Sequence, residues 1–89
     1  MNSQRSLFHD QAPNFDEVMA VWNKDRNFRT RLQIADALGR SKSPALIAVI
    51  GVLVGVGYLT MREITLPNRV IMYEYAPTKK WEDDGRFTF

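Results

Sequence analysis

Between residues 44 and 61 the chain carries no charged residue, and about half of that stretch is Val, Leu or Ile. As a helix rising about 1.5 Å per residue, such a run spans roughly 27 Å, close to the hydrocarbon thickness of a bilayer. Its start is marked by Ser43, a good N-cap, and by Pro44, which suits the first helical position because its missing N–H has no intrahelical partner there. Its end is marked by Arg62 and Glu63, with Pro67 opposing further continuation. The competing reading is a core helix, which would need apolar neighbours on every side. The largely polar remainder is a poor supplier of them. A cleaved secretory signal would begin its apolar stretch near the N-terminus.

These features predict an all-α membrane protein. Residues 1–13 read as irregular, 14–39 as an amphipathic basic helical arm, 43–63 as one transmembrane helix and 64–89 as an extended C-terminal tail. Met1 before Asn2 is expected to be retained, with no cleavable presequence apparent. A chain of 89 residues has room for one small domain at most. The absence of cysteine removes disulfide scaffolds and thiolate metal sites. A formal net charge of +2 is too small to argue for nucleic acid.

Within the apolar run, Gly51 and Gly55 form a GxxxG pair, and Ala48 and Tyr58 extend the same stripe. Small residues let helix backbones approach closely, so Ala48, Gly51, Gly55 and Tyr58 are the expected helix-packing residues. The opposite face, Leu46, Val49, Leu53 and Val56, suits lipid or a larger groove. No ionisable residue lies in the run, which disfavours transport or proton relay.

In the N-terminal arm, Asn14 and Glu17 stand in capping-box positions. Phe15, Val18, Met19 and Trp22 then share one helical face. A polar stretch over residues 23–27 is followed by renewed periodicity at Phe28, Leu32, Ala35 and Leu38, with Gly39 as a stop. This reads either as one interrupted helix or as two short ones. Arg26, Arg29, Arg31, Arg40 and Lys42 make the arm basic beside the span. That pattern suits anionic headgroups, cardiolipin included, or a protein partner, or a solvated face. With Lys24 they outnumber Arg62, Arg69, Lys79 and Lys80 on the other side, so the N-terminus is expected on the cytoplasmic or matrix side.

Residues 70–75 are rich in β-branched and aromatic types and lie between Pro67 and Pro77, which predicts an extended segment. A single strand has no sheet of its own and would pair with another chain or with water. Tyr73, Tyr75, Trp81, Phe87 and Phe89 are the expected tail anchors for a partner surface. His9 is the only histidine, and Asp83 and Asp84 are adjacent and diverge. No thiol nucleophile, histidine pair or phosphate-binding glycine loop is present, so neither catalysis nor a cofactor, metal or small-molecule substrate is expected.

This layout of basic arm, single span and aromatic–acidic tail resembles the single-span accessory subunits of mitochondrial inner-membrane respiratory complexes. The stretch from Tyr75-Ala-Pro77 to Asp83-Asp-Gly85 resembles tails of small accessory subunits of NADH:ubiquinone oxidoreductase. Tyr73 to Pro77 followed by Trp81 resembles the region after the span in a cytochrome c oxidase subunit. The resemblance implies a non-catalytic role in assembly and stability, with other subunits and membrane lipids as partners and the N-terminus in the matrix. Alternatives are a subunit of ATP synthase or of a photosynthetic complex, or a small regulator of a transporter.

Overall fold

Local capping fixes where the first three α-helices begin. The structure, a computed structural model, describes residues 12–84. Helix α1 (Phe15–Met19) opens on the expected capping box: the Glu17 N–H donates to Asn14 Oδ1 at 2.7 Å and the Asn14 N–H to Glu17 Oε1 at 3.1 Å. A 3-10 turn, Ala20–Trp22, prolongs it and carries Val18, Met19 and Trp22 into the core. Strand β1 (Arg29–Thr30) runs directly into α2 (Arg31–Ala37), where Thr30 and Gln33 form a second capping box. The N-terminal arm is therefore two short helices with a strand between them. Of the second apolar set, Ala35 is buried and Leu32 is exposed.

Helix α3 (Pro44–Gly55) starts as the sequence indicates, with the Leu46 N–H donating to Ser43 Oγ at 3.2 Å. It does not end as the sequence indicates. Gly57 adopts φ +89°, the Gly57 N–H donates to the Val54 carbonyl at 3.0 Å, and the Tyr58 N–H donates to the Leu53 carbonyl at 2.9 Å. This pair of bonds is a Schellman stop, and the left-handed residue it requires is one that glycine supplies without steric cost. The same motif closes α2, through Gly39 at φ +68°, with the Arg40 N–H donating to the Ala35 carbonyl at 3.1 Å.

The expected transmembrane helix over 43–63 is thus corrected to a 12-residue helix followed by strand β2 (Leu59–Thr65). No helix among the described residues is long and apolar enough to cross a membrane, which overturns the expected all-α membrane class. The physical reason is that α3 has protein on one side. Leu46, Val49, Ile50 and Leu53 are buried against α1, α2 and the sheet, so Leu46, Val49 and Leu53 face the chain's own core rather than lipid.

Strand β3 (Ile71–Pro77) is the predicted extended segment, and it has a sheet of its own chain after all. It pairs antiparallel with β2 from Leu59↔Pro77 to Thr65↔Ile71, and on its other side with β1 at Arg29↔Tyr75 and Thr30↔Glu74, giving the order β1-β3-β2. A five-residue connection, 66–70, joins β2 to β3. The Arg69 N–H donates to the Leu66 carbonyl at 2.9 Å and the Leu66 N–H to the Val70 carbonyl at 2.8 Å, with Arg69 at φ +67°. A last short helix, α4 (Lys79–Asp83), folds back so that Trp81 is fully buried, its ring edge-on to Tyr58 at 4.7 Å.

Candidate functional site

Helix α2, a six-residue connection over residues 38–43, helix α3 and the β2–β3 hairpin follow one another along the chain. Gly39 allows the reversal between the helices, as the left-handed position demands. Because α3 buries its bulky side, the side left outward is built of the small residues. Ala48, Gly51 and Gly55 are exposed, together with Val52 (48%) and Val56 (40%). A Cβ built on Gly51 or Gly55 would meet nothing within 4 Å. The stripe read from sequence is therefore real as a surface, except for Tyr58, which turns inward beside Trp81 with the Lys80 ammonium 5.2 Å from its ring. No side chain on α3 carries a hydrogen-bonding or charged group.

The five expected headgroup cations divide into two groups. Arg26 pairs with Glu82 at 2.6 Å. Arg29 pairs with Asp25 at 3.2 Å and lies 5.8 Å from the Trp22 ring. The Asn27 N–H and the Arg29 guanidinium together hold the Asp25 carboxyl below its ordinary value. Arg31 donates to the Tyr75 hydroxyl at 2.9 Å and sits over the Tyr73 and Tyr75 rings. These three arginines brace the chain against itself. Arg40 and Lys42 lie in the turn that leads into α3; Arg40 is half-buried and engaged within the chain, whereas Lys42 is exposed without an ion pair or hydrogen bond among the described residues.

Sequence reasoning missed Arg69. It stands at the tip of the hairpin, exposed, with no ion pair among the described residues. The signal was available in Leu66-Pro-Asn-Arg69, a turn sequence between two strand-like runs. Arg62 was read as the end of a span. It lies on β2, bonded to Glu74 at 2.8 Å and stacked over Phe28 at 3.9 Å.

Negative charge is absent from the middle of this stretch. Residues 37–62 contain no Asp or Glu, yet hold Arg40, Lys42 and Arg62. Among the described residues the acids lie on α1, in the loop before β1 (Asp25), at the end of α2 (Asp36), on the hairpin strands (Glu63 and Glu74) and on or just after α4. Of the expected tail anchors, Tyr75 and Trp81 are core residues, Tyr73 is half-buried on β3, and Phe87 and Phe89 fall outside the described residues, as does the lone histidine His9. Among the described residues no three His, Cys, Asp or Glu gather as a possible metal site. The chain matches no family model, no curated protein and no solved structure.

Proposed function

We propose that this chain is a non-catalytic module that docks double-stranded nucleic acid, with α3 lying in a groove and cations at the turn and the hairpin tip meeting phosphates. The reading is carried by the order helix, turn, helix and hairpin, which is that of a helix-turn-helix with a wing, by the lack of Asp and Glu over residues 37–62, and by Arg40 and Lys42 at the entry to α3 and Arg69 at the hairpin tip. In this motif the second helix occupies the major groove, and the first crosses the backbone. Phosphate contacts supply affinity without sequence information. The bare face of α3 has no group to read base edges by hydrogen bonds, and Ala48 and Val52 offer only apolar contact, as with a thymine methyl. The expected mode is close approach to shape and backbone with little sequence preference. A small net charge for the whole chain is compatible with this, because the local placement of the charges matters here more than their sum.

The test is fluorescence anisotropy with labelled duplexes of unrelated sequence across a salt series. Two or three phosphate contacts give a log–log salt slope of about −2 to −3, with similar affinity for each duplex. Absence of binding at low salt defeats the reading.

A second reading is favoured by one observation, the apolar character of the same outer face. A helix exposing Val52, Val56 and two open glycines also suits a protein partner, which keeps the sequence-based expectation of a subunit within a larger assembly. The expected respiratory host rested chiefly on the span, so this reading names no host. Light scattering of the isolated chain and native electrophoresis of its source extract separate the two readings. A fixed-stoichiometry protein complex with no duplex binding selects the second.

A further inference from the structure

The wing's central strand has an open edge. In the β2–β3 ladder, the Thr78 N–H donates to the Tyr58 carbonyl and the Leu66 N–H to the Val70 carbonyl, so the bonded pairs fall on even-numbered residues of this segment. Bonded and non-bonded pairs alternate in an antiparallel ladder, so the odd-numbered residues of β3 direct their backbone groups toward β1. Strand β1 has only Arg29 and Thr30, opposite Tyr75 and Glu74. The chain then leaves the sheet for α2 at Arg31, whose N–H the Thr30–Glu74 pairing brings to the Tyr73 carbonyl, and no residue of β1 lies opposite Ile71.

Beside that edge is a groove of about 280 Å³. Thr30, Arg31 and Leu32 line it at the start of α2, residues 71–73 line it from β3, and Lys42 reaches it from the turn. Its rims are apolar and open, with Leu32 56% and Ile71 51% exposed. Two cations border it and no acid does. Arg31 is held in place by the Tyr75 hydroxyl, while Lys42 is unpaired among the described residues.

We propose that this groove receives an extended acidic–apolar segment of a partner protein, which adds a short strand to β3. Strand addition takes its affinity from main-chain hydrogen bonds and its specificity from alternate side chains. Three strand residues run about 10 Å, enough to pass Ile71 and Tyr73. Apolar side chains of the segment cover Leu32 and Ile71, and its carboxylates meet Lys42 and Arg31. A phosphate suits the site less well, because the Ile71 carbonyl faces the groove and repels an anion but accepts from a peptide N–H. This inference goes beyond duplex docking and stands without it.

The test uses the full chain and a capped eight-residue peptide alternating glutamate with valine, beside a counterpart alternating lysine with valine. Amide hydrogen exchange is followed by NMR. The acidic peptide is expected to protect the Ile71 and Tyr73 amides, while Met72 and Glu74, already bonded to β2, change little. Lys42→Glu, at an exposed position, is expected to weaken peptide binding about tenfold with an unchanged melt. Ile71→Pro removes a groove-facing N–H and is expected to do the same. Equal binding of the lysine peptide, binding that leaves Ile71 and Tyr73 unprotected, or the same protection by inorganic phosphate alone overturns the proposal. Failure of duplex docking leaves these outcomes untouched, since none of them depends on the hairpin tip.

Discussion

Replacing Arg69 with glycine moves stability and duplex affinity in opposite directions. Arg69 sits at φ +67° on the hairpin tip, a conformation that places Cβ too close to the following carbonyl. For a residue with a side chain, that costs roughly 1–2 kcal/mol. Glycine escapes the clash but has more unfolded-state freedom to lose, worth about 0.5–1 kcal/mol. The net expectation for Arg69→Gly is a gain of about 0.5–1 kcal/mol, read as a melting rise of about 3–6 °C in a domain of this size. The same change removes an exposed cation that has no ion pair among the described residues, so no folded-state interaction offsets the gain. In the duplex assay, losing one phosphate contact lowers affinity at low salt and flattens the log–log salt slope by about 1. Arg69→Lys keeps both the charge and the left-handed strain, so neither readout moves much. Urea denaturation and anisotropy on one preparation measure both. A fall in stability refutes the strain argument. An unchanged salt slope refutes the placement of the hairpin tip on the duplex.

Other substitutions probe the remaining links. Gly51→Ala is expected to stabilise by up to about 1 kcal/mol, because helix propensity rises and the new methyl meets open space. Gly51→Leu is expected to leave the melt near wild type and abolish docking, which anisotropy checks. Leu53→Ala removes a fully buried side chain where α3 meets the sheet and is expected to cost about 2–5 kcal/mol by urea denaturation. Asp25 is held below its ordinary 3.8 by the Asn27 N–H and Arg29, so its contribution is present above that value and lost as pH falls through the lower folded one. The stability gap between wild type and Asp25→Asn should therefore be constant near neutrality and close in acid.

What was legible in the sequence was local. Asn14 with Glu17, Ser43 with Pro44, and Gly39 each act within one turn of chain, and each does in the structure what its chemistry indicates. The misreading came from the end of α3. An apolar run cannot by itself distinguish one long helix from a shorter helix followed by a strand, since both are hydrophobic. The deciding residue is Gly57, whose left-handed conformation stops the helix inside the run. Strand β2 gave little alternation to find, because Leu59 is its one buried residue and Met61, Arg62 and Glu63 are all exposed. Strand β1 is two residues long and exists only by pairing with Tyr75 and Glu74, far along the chain. That pairing converts the tail's aromatics from outward anchors into core: once β3 lies between two strands, Tyr75 has α2 and β1 against it, and the Arg31 guanidinium to satisfy its hydroxyl.

The outer face of α3 poses the sharpest physical question, because its composition is not explained by the fold. Gly51, in the interior of α3, costs about 1 kcal/mol relative to alanine, and Gly55, its last residue, adds less. A fold accepts that cost where a neighbouring backbone comes close, yet at Gly51 and Gly55 the chain's own atoms leave the space empty. Nor do they serve as a stop, since Gly57 performs that role two residues later. Val52 and Val56 remain exposed on the same face, and burying them would recover apolar stabilisation of about 25 cal/mol per Å² that the isolated chain forgoes. Both terms favour contact with something outside the chain, and the glycines favour contact at backbone distance. A groove wall and a partner helix both satisfy that requirement. Lys42 at the entry to α3 and Arg69 at the hairpin tip, with no Asp or Glu on α3 itself, favour the polyanion.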